Sequence, residues 1–377
     1  MRGPASVWIE VDLGAICHNL REVRRLVGAK VKVLAVVKAN AYGHGAVETA
    51  RALAADGADC LGVTRVEDAL ELREASVRAP ILVFNSSLPE DAAAIVKQDL
   101  EQTACDLELA EALSKAAVAQ GKTVAVHVKI DTGMGRLGVS PAEAPAFARH
   151  VSGLPGLKIA GVYTHLASAS AKDRRPALAQ LRVFDEVLAD LKAAGISCGT
   201  LHAAASAALL AIPESRYGMV RPGTVLYGQY PSSHVPQSLD LRSTWALKTR
   251  VAFVKEVPKG AAIGYGRDYR TRRTSRIAIL PVGYADGVTM APEGLLARKL
   301  AANLIRRGLT GRRSGLSVTI SGKSAPIVGR IGMEMCAVDV TDLPSTAVGD
   351  EALLPCRRTS ASSRIPRVYV GNAGVDS

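Results

Sequence analysis

One lysine stands at the end of a long apolar stretch, where its amine could do chemistry. Residues 31–37 are nearly all apolar, a pattern typical of a strand buried on both faces, and Lys38 follows directly. Asn40, Gly43 and Gly45 then indicate a loop. A lysine at such a strand end can enter a cleft, where loss of solvent lowers its pKa and frees the amine as a nucleophile. Lys38 is therefore a candidate catalytic residue, although most lysines are simply solvated.

Polar residues also follow several other segments with strand character. They are Lys129, Asp131, His165, His202, Ser206 and Arg221. Taken singly, a histidine or serine at such a position is more often an ordinary core residue. In a barrel of parallel strands, however, the carboxyl ends of all strands surround one mouth. If the strands close into a barrel, these side chains meet Lys38 at one site.

The apolar segments predict eight strands separated by helices. The strands are predicted to start near Val31, Asp59, Pro80, Glu101, Val124, Ile159, Thr200 and Met219. Segments 46–55 and 67–75 are among those with helical character between them. Upstream, residues 8–12 alternate like a strand, and Asp12 can cap a helix from Leu13 to about Val27. This order predicts an α/β protein with a (β/α)₈ TIM barrel.

The pattern changes from about Ser243 onward. Alternating segments at 250–257, 276–282, 316–320 and 335–340, with turns between them, predict a C-terminal all-β domain. Residues 291–315 are rich in Leu, Ala and Arg and indicate a helix or an insert.

Composition and cysteine usage favour a cytoplasmic globular protein. Of the 377 residues, 48% are hydrophobic and 22% charged, enough for a large core and two domains. The first twenty residues carry Glu10 and Asp12 inside their apolar stretch, which excludes a signal-peptide core, and no apolar run is long enough for a membrane span. The six cysteines lack paired spacing, which indicates reduced thiols and no zinc site.

The net charge of +12 raises nucleic acid as a possible partner. The excess is local, since 21 Lys and Arg stand against 10 Asp and Glu from position 248 onward. Aromatic residues make up only 4% of the chain, and no nucleic-acid-binding signature accompanies the arginine clusters. A solvated basic face is therefore the favoured interpretation, with no nucleic-acid partner.

The run Gly133-Met134-Gly135-Arg136-Leu137-Gly138 matches the glycine pattern of dinucleotide-binding folds. Such a site needs an acidic residue about 20 positions further on to hold the ribose, and residues 144–172 contain neither Asp nor Glu. The run also follows the fifth predicted strand, not the first. A nicotinamide or flavin site is therefore disfavoured.

These observations agree with a resemblance to a known protein family. The run Val36-Val37-Lys38-Ala39-Asn40-Ala41-Tyr42-Gly43-His44-Gly45 resembles the pyridoxal phosphate attachment motif of the alanine racemases, and the resemblance extends from Trp8 almost to Tyr369. It implies a fold-type III enzyme that interconverts L-alanine and D-alanine and supplies D-alanine for peptidoglycan. It also implies a homodimer whose subunits share active sites. The corresponding domains are residues 1–12, a strand joining the C-terminal domain; 13–240, the cofactor-binding barrel; and 241–377, the β domain.

The resemblance assigns roles to residues of the barrel. Lys38 would attach the cofactor and act as one of two bases. In Lys129-Ile130-Asp131-Thr132-Gly133-Met134-Gly135-Arg136, the arginine would contact the cofactor's phenolic oxygen and the substrate carboxylate, and Lys129, often carbamylated in the family, would position it. Arg221 would face the pyridine nitrogen as a donor that keeps its proton. The other implied contacts are His165 against the ring, His202 behind Arg221, and Tyr42, Ser206, Gly223 and Thr224 at the phosphate.

In the β domain the resemblance implies three further site residues. Tyr265 would be the second base and would enter the active site of the other subunit. Tyr284 would line the path by which substrate reaches the site, and the backbone of Met333 would contact the substrate carboxylate.

The chain departs from the family pattern in two places. Glu334 stands where the family usually has Asp. Only residues 352–363 separate the Gly349-Asp350-Glu351 run from Arg364-Ile365-Pro366-Arg367, where racemases usually carry a helix and a T-I-N-Y-E-like segment whose tyrosine supports the phosphate. Two alternatives therefore stay open: a racemase of another amino acid, and a cofactor-binding homologue with impaired catalysis.

Overall fold

Alternating helices and strands in the first part of the chain give way to strands alone in the second. The computed structural model describes residues 5–288 and 316–371. The chain divides into two units, one formed by residues 12–244 and the other by residues 5–11 with 245–370. The predicted helix or insert at 291–315 lies outside the described residues.

Eight parallel strands form a barrel in the first unit. They are β2 (Lys32–Val36), β3 (Cys60–Val63), β4 (Ile81–Val83), β5 (Glu101–Ala104), β6 (Val124–Lys129), β7 (Leu157–Tyr163), β8 (Thr200–His202) and β9 (Met219–Val220). Neighbours along the sheet follow in chain order from β2 to β8, and β9 pairs with β2. Backbone bonds from Gly218 N to Leu201 O and from Arg221 N to Ala204 O close the barrel between β8 and β9. The predicted (β/α)₈ fold is confirmed, and each predicted start lies within two residues of an observed strand.

One helix precedes the first barrel strand, and the others lie between or after the strands. Their bounds are α1 (Leu13–Val27), α2 (Lys38–Gly43), α3 (Ala46–Ala55), α4 (Val66–Glu74), α5 (Ala92–Lys97), α6 (Leu107–Ala119), α7 (Ala144–Gly153), α8 (Arg175–Ala193) and α9 (Ser206–Ala211). Helix α1 has the predicted bounds because the Asp12 carboxylate accepts a bond from Ala15 N at 2.8 Å. Its buried Ile16, Leu20 and Val23 recur at helical spacing, so one stripe packs inward.

The segment after Lys38 departs from the loop that the sequence predicts. Residues 39–42 have φ between 49° and 55°, so α2 is a single left-handed turn. Bonds from His44 N to Ala41 O and from Gly45 N to Asn40 O close it, and the Asn40 side chain accepts a bond from Ala46 N at 2.7 Å at the start of α3. The turn redirects the chain within a few residues of the strand end.

An antiparallel sheet dominates the second unit. Its strands are β1 (Val7–Asp12), β10 (Trp245–Arg250), β11 (Phe253–Val257), β14 (Ser275–Leu280), β15 (Ser317–Ile320), β16 (Lys323–Val328), β17 (Cys336–Asp339), β18 (Glu351–Leu354) and β19 (Arg367–Val370), and β12 (Ala262–Ile263) with β13 (Tyr269–Arg270) forms a separate hairpin. Strand β1 pairs with β10, with Trp8 opposite Lys248. The predicted all-β character of the C-terminal part is confirmed.

The strand predicted at 250–257 is two strands. Strand β10 pairs with β18, whereas β11 pairs with β14. Between them, Val251 N bonds to Asp350 O and Ala252 N to Ile279 O. The chain changes partner at these two residues, so the ladder breaks although the apolar alternation continues.

Residues 352–363 connect β18 to the last strand. They contain the end of β18 and a single 3₁₀ turn at Arg358–Ser360, and no α-helix lies within residues 352–363.

Among the described helices, none combines the length and apolarity that crossing a membrane requires.

Candidate active site

A cavity of about 580 Å³ opens at the carboxyl ends of the barrel strands. Nine of the residues predicted from the sequence line it: Lys38, Tyr42, Lys129, Arg136, His165, Ser206, Arg221, Gly223 and Thr224. Lys129 is the last residue of β6 and the others follow β2, β6, β7, β8 and β9, so strands far apart in sequence deliver them to one mouth. Two further barrel residues of the prediction do not line it: His202 lies fully buried behind Arg221, and Asp131 lies in the loop that precedes Arg136.

Lys38 reaches this cavity directly from the end of β2. Burial, and then the positive charge of Arg136, lower the pKa of Lys38 below its ordinary value. A lowered pKa increases the neutral fraction of the amine, which is the form that attacks a carbonyl or accepts a proton.

The cavity is strongly cationic. Lys38, Lys129, Arg136 and Arg221 all line it, and the described lining residues include neither Asp nor Glu. Cations gathered without carboxylates leave a positive potential that only an anionic ligand compensates. The donor set therefore suits a phosphate together with a carboxylate.

A backbone cradle lies at one side of the cavity. Ser206 Oγ accepts a bond from Gly223 N at 2.9 Å, and Tyr42 packs against Tyr227 with ring centroids 4.7 Å apart. A β-carbon added at Gly223 would lie 2.4 Å from the Tyr42 hydroxyl oxygen. Only glycine lets the hydroxyl approach this backbone, so hydroxyl and amide donors can converge on one anion.

Arg221 is buried and held from several sides. Its Nη1 donates to His202 Nδ1 at 2.8 Å, and its Nη2 donates to Thr164 O at 2.8 Å and Ala203 O at 3.0 Å. Burial lowers the pKa of Arg221 to about 10, so the guanidinium stays protonated near neutrality. Burial, and then Arg221, lower the pKa of the neighbouring His165 to about 3, so that imidazole is neutral.

The glycine-rich run after β6 is a turn wrapped around one carboxylate. Asp131 Oδ1 accepts bonds from the backbone N–H groups of Gly133, Met134 and Gly135 at 2.9–3.0 Å. Gly135 has φ 67°, a left-handed conformation that glycine adopts without strain. The run that resembles a dinucleotide motif therefore shapes the loop that presents Arg136. An Asp two residues before a glycine is the available sequence signal for this role.

Tyr163 is a structural neighbour of the site that the sequence does not single out. Its ring centroid lies 5.1 Å from the Arg221 guanidinium carbon and 5.4 Å from Lys129 Nζ. Its hydroxyl bonds to Thr103 Oγ1 at 2.7 Å. A tyrosine at the end of an apolar strand gives no distinct sequence signal, because it is equally typical of a core.

Lys129 is a second lysine of the cavity. Burial, and then Arg136 and Arg221, lower the pKa of Lys129 to about 8.

The second unit holds the other three predicted site residues. Tyr265 and Met333 line a separate cavity of about 480 Å³ and are 76% and 60% exposed. Tyr284 lies in a 3₁₀ turn whose backbone bonds to the adjacent segment, from Tyr284 N to Gly332 O at 3.0 Å and from Ala285 N to Met333 O at 3.0 Å. The segments that carry these three residues thus form a second group.

Comparisons with known proteins agree across the whole chain. Residues 11–231 match the alanine racemase N-terminal domain and residues 244–368 the alanine racemase C-terminal domain. An alanine racemase of Desulfovibrio desulfuricans is 41% identical over 97% of this chain and 98% of that protein. One of Methanococcus maripaludis is 40% identical over 91% of this chain and 87% of that protein.

Solved structures give the same result. The alanine racemase of Clostridium difficile 630 superposes with a TM-score of 0.89 at 30% identity, covering 100% of this chain and 98% of that one. The alanine racemase of Bacillus anthracis with bound L-Ala-P gives 0.84 at 31% identity, with the same coverage. Both domain matches, the relatives and the barrel-mouth lysine lead to one conclusion: the chain belongs to the alanine racemase family.

Proposed function

We propose that the chain is a pyridoxal phosphate-dependent alanine racemase that interconverts L-alanine and D-alanine. The observation that carries the proposal is the convergence of Lys38 with eight further predicted residues in one cationic cavity. Family membership supports the same reaction. In a bacterial cytoplasm, such an enzyme supplies D-alanine for peptidoglycan.

The residues of the cavity fit pyridoxal phosphate. Lys38 offers an amine of lowered pKa to an aldehyde, and Ser206, Tyr42 and the backbone at Gly223 and Thr224 offer a cradle for a phosphate. Arg136 offers a guanidinium to a phenolic oxygen, His165 a neutral ring, and Arg221 a donor to a ring nitrogen. Bound pyridoxal phosphate supplies an electron-withdrawing ring that acidifies the α-proton of an attached amino acid.

A racemase must take the α-proton from one face of the substrate and return a proton to the other. Lys38 Nζ can hold that proton on one face, because its lowered pKa makes the neutral amine accessible. We assign the opposite face to the Tyr265 hydroxyl. Arg221 keeps its proton near neutrality, so it orients the ring without protonating it.

We further propose that the active unit is a homodimer in which Tyr265 and Met333 of one copy complete the cavity of the other. Exposed Tyr265, Met333 and Met335 form a patch that includes large apolar side chains, which commonly mark an interface. Arg136 and the backbone of Met333 would then bind the substrate carboxylate from two sides. Tyr284 would line the path to the site, and Lys129 would support Arg136.

Borohydride reduction tests the cofactor assignment. The wild-type protein with pyridoxal phosphate should yield a stable adduct on the peptide that contains Lys38, and Lys38→Ala should yield none. The matched control is Lys32→Ala at the exposed start of the same strand, which should keep the adduct. An adduct that persists in Lys38→Ala would move the attachment elsewhere.

A substrate panel tests the reaction itself. L-alanine should racemise with the highest kcat/KM among L-alanine, L-serine, L-lysine and L-arginine. A preference for any of the others would replace the proposal with a racemase of that amino acid.

A further inference from the structure

The barrel interior is divided into an apolar half and a polar half. Leu34, Val36, Cys60, Leu82 and Met219 form one buried cluster on strands β2, β3, β4 and β9. On the other side, β5, β6 and β8 direct Glu101, His127 and His202 toward Arg221. Polar side chains in a barrel core are costly unless each donor finds an acceptor.

These polar residues form an unbroken chain of hydrogen bonds. Arg221 Nη1 lies 2.8 Å from His202 Nδ1, His202 Nε2 lies 2.9 Å from His127 Nδ1, and His127 Nε2 lies 3.0 Å from Glu101 Oε2. His127 and His202 are buried, whereas the Glu101 side chain is 25% exposed. Glu101 is the first residue of β5, and Arg221 follows the last residue of β9. The chain of bonds therefore runs from the amino ends of the barrel strands to the carboxyl ends, where the cavity opens.

The chemistry of its two ends fixes the direction of every bond. A guanidinium has only donors, so His202 Nδ1 must accept and its proton must lie on Nε2. His202 Nε2 then donates to His127 Nδ1, which places the proton of His127 on Nε2. A carboxylate has only acceptors, so Glu101 receives that proton's bond. One tautomer of each histidine satisfies the whole chain.

The surrounding packing leaves room for this arrangement and for little else. A β-carbon added at Gly161 would lie 2.4 Å from His127 Nδ1. The ring of Tyr163 stacks on the other histidine, His202, with centroids 4.7 Å apart. These contacts restrict the orientations of the two imidazoles, whose planes lie 72° apart.

We infer that Glu101 and His127 are positioning residues for Arg221: the carboxylate at the far end of the barrel accepts the last bond of the chain, holds His127 in the tautomer that accepts from His202, and so orients the guanidinium in the cavity. The inference rests on the proposed function, in which Arg221 contacts the cofactor ring. Without the carboxylate, either nitrogen of His127 can carry the proton. A proton on Nδ1 of His127 would face the proton on Nε2 of His202 and break the chain.

Nitrogen-15 NMR of the cofactor-free protein, labelled at its seven histidines, tests the inference without activity. In the wild type, His127 and His202 should both carry the proton on Nε2. Glu101→Leu removes the acceptor and should produce tautomer exchange at His127, whereas His202 should keep its proton on Nε2 because Arg221 still donates to its Nδ1. Glu101→Gln keeps an acceptor oxygen and should restore the wild-type tautomers. The matched control is Glu111→Leu, which removes the partner of His150 in a half-exposed pair at 3.6 Å away from this chain of bonds.

Kinetics of the loaded enzyme supply the second measurement. Glu101→Leu should lower kcat about ten-fold with KM nearly unchanged, which is the lower end of the roughly 10–100-fold loss that follows removal of a hydrogen-bond partner of a metal-bound histidine in metalloenzymes. His127→Leu should lower kcat to a similar extent, and the double variant should lose little more than either single one because both act through one chain. If Glu101→Leu does not fold, His127→Leu carries the same test.

Two results would overturn the inference: the wild-type tautomer at His127 in Glu101→Leu, whatever its kcat, or tautomer exchange at His127 with a wild-type kcat. A different result would contradict the proposed function and leave this inference in place. A wild-type protein that does not racemise alanine, but whose His127 tautomer still depends on Glu101, would contradict the activity and retain the positioning role.

Discussion

The ring of Tyr163 lies 5° from parallel to the imidazole of His202, with the two centroids 4.7 Å apart. The same tyrosine ring lies beneath the Arg221 guanidinium. One buried aromatic ring therefore packs against both the arginine of the candidate site and the histidine that holds it. Its hydroxyl is tied separately, to Thr103.

Substitutions of Tyr163 should separate its ring from its hydroxyl. Tyr163→Phe keeps the stack but leaves the buried Thr103 hydroxyl without its partner, so the free energy of unfolding should fall by about 1–3 kcal/mol with kcat close to wild type. Tyr163→Leu also removes the stack and should lower kcat. Urea unfolding and steady-state kinetics measure both effects. Equal kcat in the Phe and Leu variants would show that the ring does not position Arg221.

Gly223→Ala should weaken cofactor binding. The new β-carbon would lie 2.4 Å from the Tyr42 hydroxyl oxygen, so the hydroxyl or the backbone must withdraw from the phosphate cradle. Loss of one charged hydrogen bond is worth about 1.5–3 kcal/mol, which predicts at least a ten-fold rise in the Kd for pyridoxal phosphate by absorbance titration. Gly153→Ala is the control, because a β-carbon there meets nothing within 4 Å. A wild-type Kd in Gly223→Ala would show that the phosphate is not bound at this backbone.

Asp131→Asn should loosen the loop that presents Arg136. Partial burial raises the pKa of Asp131, but bonds from the N–H groups of Gly135, Gly133 and Met134 outweigh it, so the folded pKa lies below the ordinary value. A depressed carboxyl pKa stabilises the fold above the unfolded pKa of about 3.9, and this contribution disappears as pH falls through the folded pKa. The wild type should therefore be more stable than Asp131→Asn at pH 7, and the difference should shrink below about pH 4. Urea unfolding across pH checks this, and a constant difference would contradict it.

Lys129→Met should stabilise the fold at neutral pH. Burial, then Arg136 and Arg221, lower the pKa of Lys129 from 10.5 to about 8, which corresponds to a cost on the order of 3 kcal/mol for the charged form at neutrality. Because the folded pKa lies below the unfolded one, wild-type stability rises with pH between these two values. The cofactor-free Met variant should be more stable at pH 7, and its advantage should decline as pH rises above 8. Lys192→Met, on the exposed end of α8, should show neither effect; an unchanged Lys129→Met would contradict the charge argument.

The barrel was predictable because its strands are buried on both faces and so form continuous apolar runs. The polar residues that end them were predictable for the same reason, since each interrupts such a run. Tyr163, Thr103 and His127 belong to strands and resemble core residues, so only their three-dimensional contacts reveal them. The break at 251–252 is likewise hidden, because a change of strand partner leaves the alternation intact.

Racemisation in D₂O tests the central proposal most directly. The protein loaded with pyridoxal phosphate is incubated with L-alanine, and α-deuterated D-alanine is followed by NMR together with chiral chromatography. The wild type should form deuterated D-alanine, and Tyr265→Phe should form it about 10²–10⁴-fold more slowly while keeping the borohydride adduct. No D-alanine from the wild type, or an unimpaired rate in Tyr265→Phe, would contradict a two-base alanine racemase.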